Sequence, residues 1–173
     1  MVDVKQGMPP VGASDARLLI LGSLPGDASL AAQAYYAHPT NQFWRLLGHA
    51  IGEQLAPLAY SVRLDRLAAR GIALWDVVAD ATRTGSLDGA IRSARANPLA
   101  AFVASHAHLR AIAFNGRTAA ILGRRALAGV AGPILIDLPS SSAAFTRPLS
   151  EKMVAWSPLG GFAVPPLCAK VRP

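Results

Sequence analysis

Three short segments carry side chains able to do chemistry together: GSLPGDAS leading on to AHPTN, then FNG, then LPSSSAA. Asn115, directly before Gly116, offers a carboxamide with donor and acceptor side by side, suited to the edge of an amide-like heterocycle. The same dipeptide also suits a plain left-handed turn. Ser140, Ser141 and Ser142, after Pro139, can present hydroxyls and backbone amides to a phosphate, or simply make a loop. The first segment gathers Ser23, Asp27, Gln33, Tyr35, Tyr36, His38 and Asn41 within about eighteen residues. A connection of that length is either functional or disordered. Two tyrosines followed by Phe43 and Trp44 are too apolar to leave in water, so the segment reads as an active-site loop. His38, before Pro39, is a ligand contact or a structural residue. Asp27, beside a glycine, activates water or forms a turn. His106 and His108 near a helix end read as surface residues, and Asp76 as a group that orients a loop. Ser141 has no GxSxG elbow, which argues against a serine hydrolase. No ligand spacing suggests a metal, and no lysine in the three loops supports a Schiff base.

The elements that must position these groups alternate between strand and helix. Arg17 to Leu21 is an apolar run ending at Gly22, the pattern of a central parallel strand. Thr40 or Asn41 can cap a helix with Phe43, Leu46, Leu47 and Ala50 on one face. A second helix covers Ser61 to Arg70, and a second strand Ile72 to Val78, ending at Asp76 or a little later. Residues 81 to 96 read as mostly loop, with Ser86 placed to cap a short helical turn, and Asn97-Pro98 opens a helix to about His106. The third strand is Arg110 to Phe114, followed by a helix from Thr118 to Leu127; the fourth strand is Pro133 to Leu138, followed by a helix from Leu149 to Ala155. Strands separated by helices imply right-handed crossovers and a parallel sheet covered on both faces. Three of the four strand ends carry the polar segments, so they converge on the edge where α/β sheets bind ligands. Residues 1 to 16 read as a flexible leader, and 17 to 173 as one domain.

Composition fits this picture. The 173 residues are 52% hydrophobic and 16% charged, which excludes a mostly disordered chain. No apolar run approaches the ~20 residues of a membrane span, and MVDVKQGMPPVGASD lacks a signal peptide's basic start and apolar core. Cys168 is the only cysteine, so internal disulfides and multi-thiolate metal sites are excluded. A cytoplasmic protein is expected. Seventeen basic against ten acidic residues give +7, and fourteen of the basic ones are arginines. An anionic partner follows, nucleic acid ahead of membrane because no basic amphipathic stripe is present.

Taken in combination, GSLPG, YYAHPTNQFW, GIALWDV, IAFNGRTAA and LPSSSAA resemble the uracil-DNA glycosylase superfamily. Within it they are most similar to the hypoxanthine (deoxyinosine) DNA glycosylase branch, related to the mismatch-specific uracil glycosylases. The resemblance covers residues 17 to 157. It implies an α/β fold, a three-layer α/β/α sandwich with a central four-stranded parallel sheet. It also implies a monofunctional, cofactor-free enzyme that hydrolyses the bond between a deaminated base and deoxyribose in double-stranded DNA, acting as a monomer at the nucleoid. Many relatives place Asn or Asp directly after the first strand; this chain has Ser23 there, and the resemblance moves the catalytic carboxamide to Asn41 with Ser23 beside it. By its residues alone Asn41 is also an ordinary helix cap. The resemblance assigns the base pocket to Tyr36, Asn115, His38 and Phe43, with Tyr35 competing for the stacking role. It assigns DNA contact to Pro139, Ser140, Ser141, Ser142 and Ala143, the last standing where the branch commonly has proline. The competing functions are a mismatch uracil or thymine glycosylase, which Ser23 disfavours, and a non-catalytic DNA-binding module of the same fold.

Overall fold

The pentapeptides LLILG, IALWD and AIAFN are buried along their whole length, as central parallel strands must be when helices cover both faces. The structure is a computed structural model that describes residues 4–165; Cys168 and the carboxyl-terminal end of the expected domain lie outside the described residues. In chain order the strands are β1 (Val4–Gln6), β2 (Val11–Gly12), β3 (Leu18–Gly22), β4 (Ile72–Asp76), β5 (Val78–Thr82), β6 (Arg92–Ala96), β7 (Ala111–Asn115) and β8 (Ile134–Leu138). The helices are α1 (Asp27–Ala32), α2 (Phe43–Ile51), α3 (Tyr60–Ala69), α4 (Leu99–Ser105), α5 (Arg117–Ala126) and α6 (Leu149–Trp156).

The main sheet has the order β2-β4-β3-β7-β8. Its last four strands are parallel, in the register Leu18↔Ile72, Leu18↔Ala111 and Ala111↔Ile134, while β2 pairs antiparallel on the β4 edge. The four-stranded parallel sheet expected from the sequence is therefore present, with a two-residue strand added. From β3 the chain steps one way to β4, and from β7 it steps the other way to β8. Right-handed crossovers then put α2 and α3 on one face and α4 and α5 on the opposite one, giving three layers. The apolar face of α2 supplies Phe43, Trp44, Leu46, Leu47 and Ile51 to the core, where Phe43 meets Trp44 and Trp156 edge to face.

Two expectations are corrected. The stretch before Arg17 is not a free leader: Val4–Gln6 pairs with β5, Val11–Gly12 pairs with β4, and Met8 is buried. Residues 81 to 96 are not mostly loop, because β5 and β6 form an antiparallel ribbon that β1 extends to three strands. Neither announces itself in sequence. Every residue of β6 (RSARA) is exposed, and register shifts interrupt its pairing, so no apolar alternation develops.

Candidate active site

A cavity of about 650 Å³ opens at the carboxyl ends of β3, β4 and β7, within the size range of small-molecule sites. Gly22, Ser23, Asp76 and Asn115 reach it from the strand ends. Tyr36, His38 and Asn41 enter from the long loop, and Ser140 to Phe145 close another side. The polar segments singled out in sequence are thus brought together.

Asn41 sits at the start of α2, where its Oδ1 accepts the Phe43 amide at 3.0 Å. The N-cap of α2 is Gln42, not Thr40 or Asn41; Asn41, one residue earlier, satisfies the first amide of the helix, and this bond fixes its side chain by one end only. The Nδ2 group makes no hydrogen bond among the described residues and lines the cavity. Tyr36 is held at φ 56°, in the left-handed region that a non-glycine residue adopts only under constraint. The constraint is visible: one face of its ring lies flat on Phe43, centroids 3.7 Å apart and 7° from parallel. Phe43 itself is fully buried and is not a wall of the cavity. Its assignment to base contact is therefore corrected to support for Tyr36. Tyr35 donates its hydroxyl to the Met8 and Pro9 carbonyls, each at 3.1 Å, which leaves Tyr36 as the ring available for stacking. His38 lies exposed at the rim, its Nδ1 occupied by the Thr40 amide and hydroxyl.

Asn115 lines the cavity, yet its carboxamide is engaged at both ends. Nδ2 donates to the Ser141 hydroxyl and Oδ1 accepts the Ser141 amide, both at 2.8 Å. Gly116 helps to bring the two segments together: at φ 97° it turns sharply after β7, and a Cβ there would lie 3.1 Å from that of Ser140. In this arrangement Asn115 holds the serine loop rather than offering a free edge to a base. The loop is fastened from outside as well. The Gln42 amide donates to the Ser141 carbonyl at 2.9 Å, and fully buried Lys152 donates to Gln42 Oε1 at 2.9 Å and to the Ser142 carbonyl at 3.2 Å. Pro139 stands back from the cavity, its carbonyl accepting the Trp156 indole, whereas Ser140, Ser141, Ser142 and Ala143 line it.

Ser23 donates its hydroxyl to Asp88 at 2.5 Å. Asp88, a cavity residue that sequence reasoning missed, lies in TGSLDG, where a carboxylate before glycine looks like a turn former. Burial raises its pKa, while the Ser23 hydrogen bond and Arg83 act the other way. Asp76 is raised further, to about 8, by burial first and then by the charge of Asp88. Asp27 is occupied by buried Lys5 and its amide donates to Ser86, so its carboxylate serves as an anchor for β1. Phe145 and Leu87, both exposed, were also missed; each is a lone apolar residue in a polar loop. His106 and His108 fall outside the cavity, the latter paired with Asp15.

The raised Asp76 has a consequence for stability. Folding takes up a proton between pH 3.8, the ordinary value, and about 8, so this group's contribution is greatest below that window and is lost as pH rises through it. Asp76→Asn removes the effect. The melting-temperature gap between variant and parent is therefore expected to widen in favour of the variant from pH 5 to pH 8, with a slope of up to about 1.4 kcal/mol per pH unit. A constant gap in melts across that range would refute it.

A parallel α/β/α sandwich with a cavity lined by Asn, Ser, Asp and Tyr side chains at its strand ends, on a chain of charge +7, fits an enzyme acting on a base in nucleic acid. Comparison with known proteins makes the class specific. Residues 9–158 match the family described as the uracil DNA glycosylase superfamily. A Methanosarcina acetivorans protein named hypoxanthine DNA glycosylase is 45% identical over 116 residues, 67% of this chain and 73% of the relative. A protein of that name from Methanosarcina barkeri is 40% identical over 157 residues, 88% of this chain and 96% of the relative. The solution NMR structure of a Methanosarcina acetivorans protein provisionally described as a uracil DNA glycosylase superposes with a TM-score of 0.81 at 39% identity, covering 91% of this chain and 97% of that one. The chain belongs to the uracil DNA glycosylase superfamily and is an enzyme of the DNA glycosylase class. No helix among the described residues is long and apolar enough to cross a membrane.

Proposed function

We propose that the chain removes hypoxanthine, and uracil as a second substrate, from double-stranded DNA by hydrolysing the N-glycosidic bond, the first step of base excision repair. The observation that carries the reading is Asn41: a carboxamide pinned by its oxygen to the α2 start, lining the same cavity as Tyr36, with its nitrogen unbonded among the described residues. The names of the two Methanosarcina relatives support the choice of base.

The target nucleotide first rotates out of the duplex, at a cost of a few kcal/mol that is smaller for a mispaired base. It enters the slot against Tyr36, whose orientation Phe43 fixes. As the sugar gains oxocarbenium character, Asn41 orients the attacking water, and the backbone amides of the serine loop hold the flanking phosphate. Ser23 and Asp88 form the wall beside it. Phe145 and Leu87 at the mouth contact the bases that remain stacked, where exposed apolar side chains are suited to fill the gap. Lys152 is buried on Gln42 and Ser142, away from the cavity lining, in keeping with hydrolysis and no Schiff base. One chain lines the entire slot, so a monomer suffices, and the arginine-rich charge favours residence on the nucleoid.

The test is incubation with duplexes holding one inosine, uracil, xanthine or thymine mismatch, then alkali to break abasic sites. Strand breakage is expected fastest at inosine. Retention of the duplex with no abasic product would leave only a DNA-binding module. Binding should also weaken by roughly 100-fold or more between 50 and 200 mM salt, because arginine–phosphate contacts release counterions. An affinity insensitive to salt, measured by fluorescence anisotropy, would contradict that mode of binding.

A further inference from the structure

We propose that Asp76 and the Tyr36 hydroxyl form the floor of the slot, hydrogen-bonding the acceptor edge of the extruded base and stabilising the negative charge it gathers on leaving. The assignment rests on the glycosylase reading and deepens it, since FNG and its Asn115 looked like the base reader in sequence.

Two atoms at the bottom of the cavity are buried without partners among the described residues: the Tyr36 hydroxyl oxygen and Asp76 Oδ2. Buried polar atoms are almost always paired, and an orphan costs about 1–3 kcal/mol, so two on one cavity wall mark a place where a ligand completes the bonding. The backbone brings the two groups together. Gly22 ends β3 between them; a Cβ there would overlap an Asp76 carboxyl oxygen and lie 3.1 Å from the Tyr36 hydroxyl. With no side chain at Gly22, both polar groups pack against the same backbone position at the end of β3. Asp76 is 3% exposed and is placed in register with Gly22 by β3–β4 pairing, so the floor rests on the two central strands rather than on loops.

The protonation states agree with a donor role. Asp76 faces Tyr35, Tyr36, Asp88 and Arg83; burial and Asp88 push its carboxyl up to about 8, against the pull of Arg83, so it is the acid at neutral pH. Burial first and then the charges of Asp76 and Asp88 raise Tyr36, against the nearby Asn115 carboxamide, so it keeps its proton throughout the physiological range. Two O–H donors then point at the base, whereas a carboxylate would repel its carbonyl oxygen and the growing charge. The step balances without another reactant. Water oxygen bonds to C1′ and loses a proton to solvent, while the C1′–N bond breaks. Its electron pair stays on the hydrogen-bonded base, which takes up a proton from solvent.

Single-turnover rates on an inosine duplex from pH 5.5 to 9.5, with anisotropy for binding, test the assignment. Tyr36→Phe removes one oxygen and keeps the ring on Phe43; its rate should fall 10- to 100-fold with duplex affinity within about twofold. The parent rate should fall above pH 8 as Asp76 ionises. Asp76→Asn, the same shape with no proton to lose, should be slower at neutral pH and lose that alkaline limb, while its melting confirms folding. A Tyr36→Phe rate equal to the parent's, or an alkaline limb that persists in Asp76→Asn, overturns the assignment while leaving the glycosylase reading intact. A parent enzyme that releases no base overturns both.

Discussion

Asn41→Ala is expected to release the base from an inosine duplex about 100- to 1,000-fold more slowly than the parent, the loss typical of removing one preorganised donor from a transition state. Binding of the intact duplex should stay within about twofold, because the role proposed for Asn41 is toward the attacking water, not the phosphates. The difficulty in reading such a result is that Asn41 also satisfies the Phe43 amide, the first of α2. Loss of that bond costs about 1 kcal/mol, or about 2–4 °C in melting temperature for a chain of this size. Tyr36 lies on Phe43, so a frayed α2 start would disturb the slot by itself. Asn41→Ser separates the two causes. Its hydroxyl still accepts that amide but is too short to offer a donor where Nδ2 stands, so melting recovers while the rate does not. A serine variant that regains both would reduce Asn41 to a support for the helix start, and rates with melting curves for the three proteins decide the matter.

The sheet was legible because its strands obey one simple rule. A strand covered on both faces must be apolar throughout, and LLILG, IALWD and AIAFN have no other reading once Gly22, Asp76 and Asn115 end them. The site was legible to the extent that polar loops at strand ends converge. What could not be read was pairing among polar atoms. Asn115 before a glycine has the same chemistry whether it faces a base or a serine, and only the approach of Ser140 to Gly116 shows which. Asp88 and β6 were hidden for a related reason: an exposed ribbon needs no apolar period, so a segment that walls the cavity reads as a loop. β1 escaped notice because Lys5, one of the three residues in that strand, is buried on Asp27, a pairing of two charges that local hydropathy cannot express.

Asn115→Ala carries the second large effect, and its direction distinguishes two roles for the same side chain. Ser141 is 1% exposed and bonds Asn115 through both its amide and its hydroxyl. Truncation strands the Ser141 amide donor and leaves the Ser141 hydroxyl without the Nδ2 donor it accepted, at about 1–3 kcal/mol each, so a total near about 2–6 kcal/mol is expected in denaturant melts. The serine loop then keeps Gln42, Lys152 and the Trp156 indole as its anchors. A loosened loop grips the flanking phosphates poorly whichever base has been extruded, so inosine and uracil duplexes lose rate in parallel and their ratio stays within about twofold. A base reader would behave in the opposite way, since loss of an edge contact penalises one base more than another. Asn115→Asp sharpens the comparison: Oδ1 still accepts the Ser141 amide, and the hydroxyl can rotate to donate to the other carboxylate oxygen. Stability and rate should therefore recover together in the aspartate variant with the base preference unmoved. A ratio that shifts severalfold in either variant would make Asn115 a reader of the base after all.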